Sequence, residues 1–136
     1  MPQHIGYVTL VVREYDEAIA YFTQTLGFDL TEDSPSMDRE GREKRWVLIA
    51  PPGSTCTKIL LAKASSREKQ PASAIRQAAA SLLFLHTDNF WRDYNAMTGK
   101  GVKFVREPKE EEYGTVAVFE DLYGNKWDLL QLKADR

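Results

Sequence analysis

The sequence predicts an α+β fold made of two βαβββ modules that curl into an eight-stranded mixed-sheet cup. Three observations predict it. Tyr15, Ile19 and Phe22, spaced i, i+4, i+7, return as Phe90, Tyr94 and Met97 about 75 residues later. The run Tyr7-Val8-Thr9-Leu10-Val11-Val12 before the first set is echoed by Leu82-Leu83-Phe84-Leu85-His86-Thr87 before the second. Each set then runs into a glycine and a short apolar stretch, Gly27-Phe28-Asp29-Leu30 and Gly101-Val102-Lys103-Phe104. Such a duplication predicts two half-domains that share one core, with a groove between them.

Each element follows from local chemistry. His4 to Val12, rich in Val, Leu, Thr and Tyr, predicts the first strand. Glu14 to Leu26 places Tyr15, Ala18, Ile19, Phe22 and Leu26 on one helical face, and Gly27 supplies the positive φ that ends a helix. Phe28 to Glu32 reads as a short second strand. Asp33 to Lys44, polar and carrying Pro35 and Gly41, reads as a mobile loop. Arg45 to Ala50 and Cys56 to Ala62 read as strands joined by the turn Pro51-Pro52-Gly53-Ser54.

Lys63 to Ala80 is polar and then alanine-rich, which predicts a linker with one short helical turn. It separates module 1 (about residues 4–62) from module 2 (about 81–133) within a single domain. Ser81 to Thr87 repeats the strand and Asn89 to Lys100 the helix, with Phe90, Trp91, Tyr94 and Met97 on its apolar face and Gly101 as the stop. Trp91 and Trp127 are expected in the helix-facing core. Val102 to Arg106 is the next strand, and Glu107 to Gly114 an acidic loop around Pro108. Thr115 to Glu120 and Lys126 to Gln131 form a hairpin whose Gly124-Asn125 suits a positive-φ turn.

Composition narrows the functional class. At 136 residues the chain buries roughly two thirds of its unfolded surface as one domain. A net charge of −2 offers no basic field to nucleic acid or an anionic membrane. No apolar run approaches the roughly 20 residues of a transmembrane helix. The single cysteine, Cys56, and the lack of a charged-then-apolar leader predict a reducing, cytoplasmic setting.

The order of elements resembles the vicinal oxygen chelate superfamily of glyoxalase I, bleomycin- and fosfomycin-resistance proteins and extradiol dioxygenases. The residues that carry the resemblance are Tyr7 to Val12 with Ala18, Tyr21-Phe22 and Leu26-Gly27-Phe28, then Thr87-Asp88 with Gly101-Val102. Above all there is Asp121-Leu122-Tyr123-Gly124-Asn125-Lys126-Trp127-Asp128-Leu129, similar to that family's Asp-Pro-x-Gly-Asn hairpin with Leu122 in place of proline. Metal-dependent members hold a divalent ion with a His opening the first strand, a His or Glu opening the fifth, a Glu on the eighth and often a carboxylate from the fourth. Here these positions fall on Tyr7, on Leu82 (Ser81 after a one-residue shift) and on Asp128, and the fourth strand has no carboxylate. The resemblance therefore implies a small-molecule-binding protein without the usual metal, paired as a homodimer.

His86 and Asp128 are the candidates for acid–base chemistry. Alternation turns His86 to the face of Leu82, and an imidazole titrates near neutral pH. Asp128, if buried, needs a partner, for which Arg45 and Lys126 are candidates. The ligand-contacting candidates are Tyr7, Thr9, Arg45, Trp46, Leu82, Phe84 and Tyr113, the last on a loop able to act as a lid. His4 reads as a solvated residue, and Cys56 has no adjacent base. The alternative reading is a metal-dependent lyase, transferase or dioxygenase with a displaced site at His86, Asp128 and a loop carboxylate such as Glu111.

Overall fold

The computed structural model describes residues 2–37, 40–41, 43–64 and 81–133. The predicted helical turn of the 63–80 linker lies outside the described residues, apart from Lys63, which ends a strand, and Ala64. The chain divides into two compact units, Met1–Ala72 and Ser73–Arg136.

The first unit contains β1 (Tyr7–Val12), α1 (Tyr15–Ala20), β2 (Asp29–Met37), β3 (Glu43–Ala50) and β4 (Lys58–Lys63). Its sheet runs β1-β4-β3-β2, with β1 parallel to β4 and the remaining neighbours antiparallel. Alternation along β1 buries Leu10 and Val12 and exposes Tyr7 and Thr9. The buried set meets Tyr15, Ala18 and Phe22, and Phe22 packs on Phe28 at a centroid distance of 5.7 Å. Full burial of a side chain like Phe22 contributes about 1.5–3 kcal/mol. Past Ala20 the helix widens to a π-helical turn over Tyr21–Thr25, where Leu26 N–H reaches back to the Tyr21 carbonyl. Gly27, at φ 76°, ends it.

The second unit contains β5 (Leu83–His86), α2 (Phe90–Gly99), β6 (Lys103–Glu111), β7 (Gly114–Glu120) and β8 (Lys126–Leu132). Its sheet runs β5-β8-β7-β6, the same topology with the same parallel pair. Asn89 caps α2 by accepting from Arg92 N–H at 3.1 Å, and Gly101 (φ 86°) follows the helix. Beneath α2 a chain of rings runs from Tyr94 through Phe104 and Phe119 to Trp127, with centroids 4.6, 5.6 and 5.7 Å apart.

The α+β class, the two βαβββ modules and the mixed sheets are as the sequence predicts. Several details differ. The eight strands form two four-stranded sheets rather than one continuous sheet. The first strand starts at Tyr7, not His4, and the fourth at Lys58, leaving Cys56 exposed ahead of it.

Two segments predicted as loops are strands. Residues 33–37 extend β2 and residues 43–44 open β3, while residues 107–111 extend β6. Both β2 and β6 are edge strands that pair on one side only among the described residues, so charged residues there face water without penalty. An edge also tolerates the missing N–H of Pro35 and Pro108, and Pro108 falls in the register shift between Arg106 and Lys109. Trp91, predicted in the core, is 50% exposed, because Phe90 and Met97 already fill the buried stripe of α2.

Candidate functional site

The open face of the second sheet, away from α2, is built by register. Phe84 on β5 pairs with Asp128 on β8, Asp128 with Val118 on β7, and Val118 with Arg106 on β6. Paired residues point to the same side, so these four form one row across the sheet. A depression of about 650 Å³ lies in the first unit and another of about 610 Å³ in the second. The second contains this whole row, together with Ser81, Tyr113, Glu111 and Lys126. Phe84 is 58% exposed and Tyr113 41% exposed, so both rings are free to meet a ligand.

Asp128 accepts a short hydrogen bond from the Ser81 hydroxyl just ahead of β5. This partner is a neutral hydroxyl, whereas the sequence offered the cations Arg45 and Lys126. Leu82 does not line the depression. Its backbone N–H donates to the Lys126 carbonyl at 2.6 Å, and Ser81 takes the place beside the carboxylate. His86 shares the open face with Phe84 but pairs with Leu130, one row beyond Asp128 and outside the lining. Tyr113 sits in the two-residue turn between β6 and β7 rather than in a long lid.

Tyr7, Thr9 and Trp46 occupy the corresponding open face of the first sheet, where Tyr7 meets Trp46 edge-on at 6.0 Å. The row equivalent to that of the second sheet reads Thr9, Leu60, Leu48, Glu32. Arg45 lines the first unit's depression, but its guanidinium is already engaged. It grips Asp33 with two bonds (3.1 and 2.7 Å) and Asp16 with a third (2.9 Å), above the Tyr15 ring. The hydrogen bond from Arg45 holds the Asp33 carboxyl below the usual carboxylate range and keeps the guanidinium firmly protonated. Asp93 in the second unit balances differently. Burial alone would raise its pKa, and hydrogen bonds from Arg92 and Thr87 turn the net shift downward.

Sequence reasoning missed two features. Asp121, buried to 6% exposure, accepts from Tyr123 N–H (2.8 Å), Asn125 N–H (3.0 Å), Asn125 Nδ2 (3.2 Å) and Trp127 Nε1 (3.0 Å). This is an Asx-type turn extended to an indole, legible in the Asp-x-Tyr-Gly-Asn spelling, and it fixes the approach to Asp128. Arg106 left no such signal, because only the bulges of β6 bring it into the row.

The donor set does not fit the superfamily's metal. At the three expected positions stand an exposed phenol (Tyr7), a hydrocarbon (Leu82, or the Ser81 hydroxyl) and one carboxylate already accepting from Ser81. No cluster of three His, Cys, Asp or Glu side chains able to hold an ion occurs among the described residues.

The comparisons agree with this fold. Residues 4–129 match the model of the Glyoxalase/Bleomycin resistance protein/Dioxygenase superfamily, and the chain belongs to that superfamily. It is 52% identical to an uncharacterised protein of Shewanella frigidimarina over 97% of this chain and 96% of the relative. Among solved structures it resembles UcmS2 (29% identity, TM-score 0.77, 96% and 98% of the two chains covered). It also resembles TnmS3, an antibiotic binding protein from Streptomyces sp. CB03234 (28% identity, TM-score 0.76, 97% and 98% covered). No helix among the described residues is long and apolar enough to cross a membrane.

Proposed function

We propose that this protein binds a small organic compound on the open face of its second sheet, without a metal ion. One observation carries the reading. A single depression brings the exposed rings of Phe84 and Tyr113 and the apolar Val118 together with a carboxylate, Asp128, oriented by the Ser81 hydroxyl. Apolar and aromatic side chains beside convergent polar groups are features of small-molecule sites, and here half of the lining is charged. Similarity to an antibiotic binding protein supports a sequestering role for a planar or aromatic compound. The reading includes a cytoplasmic homodimer, and the edge strands β1 and β5, which pair on one side only among the described residues, support the dimer.

A thermal-shift screen of aromatic metabolites and antibiotics tests it. A ligand at 100 times its dissociation constant stabilises the protein by about 2.7 kcal/mol. Phe84→Ala, at an exposed position, is expected to abolish the shift and leave the unliganded melting temperature unchanged. Stoichiometric transition metal in protein purified without chelator, lost on Asp128→Asn, overturns the metal-free reading. A ligand consumed over time assigns the site catalysis, with His86 and Asp128 the residues to vary first.

A further inference from the structure

The charges of the second unit's depression define a class of ligand more narrowly than its rings do. Its lining holds four carboxylates and three cationic side chains, so neither sign dominates. Two of the carboxylates are neutralised locally. Glu111 pairs with Lys109 at 3.4 Å, and Glu120 with Lys103 at 3.4 Å. Asp128 accepts only a neutral hydroxyl, that of Ser81, and Arg106 has no ion-pair partner among the described residues. These two stand in the same row with Val118 between them, and Phe84 flanks Asp128 on its other side. Two interstrand spacings set their Cα atoms about 9–10 Å apart.

Resting on the small-molecule reading above, we infer that the ligand is dipolar. Its protonated nitrogen meets Asp128 beside the Phe84 ring, its anionic group meets Arg106, and its apolar body crosses Val118. Phe84 favours the cationic end twice, through ring packing and through attraction of a cation to its face. Arg106 suits a carboxylate or a phosphate-like group, which its fork can grip with two bonds.

Four probes of one shape test this by titration calorimetry. They are 4-(aminomethyl)benzoate, 4-methylbenzylamine, 4-methylbenzoate and 4-methylbenzyl alcohol. The zwitterion is expected to bind at least about tenfold tighter than either singly charged probe, the worth of one charged hydrogen bond. Arg106→Gln, at an exposed position, should lower its affinity to that of the benzylamine, and Asp128→Asn to that of the benzoate. Equal binding of the zwitterion and the singly charged probes, or an advantage that survives both substitutions, overturns the inference. Binding of the neutral alcohol as tightly as the zwitterion, lost in Phe84→Ala, overturns the dipolar ligand and leaves the small-molecule reading standing. That reading falls separately, if no compound of the broader screen stabilises the protein.

Discussion

The two units share a topology and a buried face, and they part company on the open face. The register square Val47, Ile49, Ile59 and Leu61 in the first sheet corresponds to Ala117, Phe119, Trp127 and Leu129 in the second, and all eight side chains are buried and apolar. Across the open face, Thr9, Leu60, Leu48 and Glu32 stand where the second sheet has Phe84, Asp128, Val118 and Arg106. A packed interior restricts each position to a hydrocarbon of suitable volume. On the other face the central Leu48 and Val118 are buried as well, but Thr9, Glu32, Phe84 and Arg106 are exposed and carry no such demand. The duplication has therefore held where packing constrains it and diverged where chemistry can be added.

The connections between β-strands sharpen the contrast. The β3–β4 turn of the first unit rests mainly on backbone restriction, with the Gly53 N–H also donating to the exposed Asp29 carboxylate at 3.3 Å. Pro52 fixes one φ, Gly53 takes φ 74°, and Ser54 N–H closes on the Pro51 carbonyl at 3.0 Å. The β7–β8 turn of the second unit depends instead on the buried carboxylate of Asp121. Asp121→Ala orphans several buried donors at once and is expected to cost about 3 kcal/mol or more in urea unfolding. Pro52→Ala, acting mainly on the unfolded chain, should cost less than about 1 kcal/mol. Equal costs would erase the distinction.

The β-hairpin glycines give the next largest effect. A Cβ on Gly114 would run into the Gln131 carbonyl oxygen and lie 2.9 Å from the Leu132 Cα, both backbone atoms that cannot step aside. Gly114→Ala is expected to cost about 2 kcal/mol. Gly41, between β2 and β3, meets nothing within 4 Å, and Gly41→Ala should cost only the roughly 1 kcal/mol of its positive φ. The ranking, read as paired midpoints of denaturant unfolding, is the test.

The smallest effect is electrostatic. The Asp33 carboxyl has a lowered pKa in the folded protein, so its bond to Arg45 stabilises fully above the unfolded carboxylate value of about 3.9. That contribution is lost as pH falls through the lowered folded value. Asp33→Asn should therefore reduce stability by a constant amount near neutrality, and the difference from the parent protein should close in acid. Both side chains are about one third exposed, and added salt should shrink the difference as well. A difference that grows in acid contradicts the assignment.

The helix-facing residues were legible because burial imposes periodicity. Tyr15, Ala18, Phe22, Phe90 and Met97 are buried as their spacing predicts. The edges of the sheets were not legible. Residues 33–37 and 107–111 look like loops because a strand with one side open to water needs no apolar alternation. The open face was partly legible. Of the residues the sequence marks for a ligand, Phe84, Tyr113 and Asp128 line one depression, whereas Tyr7, Thr9 and Trp46 lie on the first sheet's face. Trp91 misled because an i, i+1 aromatic pair cannot point the same way on a helix. Arg106 depends on two irregularities of register, which no local pattern encodes.

The central claim is that the second sheet's open face, and not the first's, holds the ligand. Backbone amide NMR of the protein titrated with a stabilising compound from the screen tests it most directly. The account predicts that the largest shift changes fall on Phe84, Arg106, Val118 and Asp128. Changes centred on Thr9, Leu48 and Leu60, with the Phe84–Arg106 row unmoved, would contradict it.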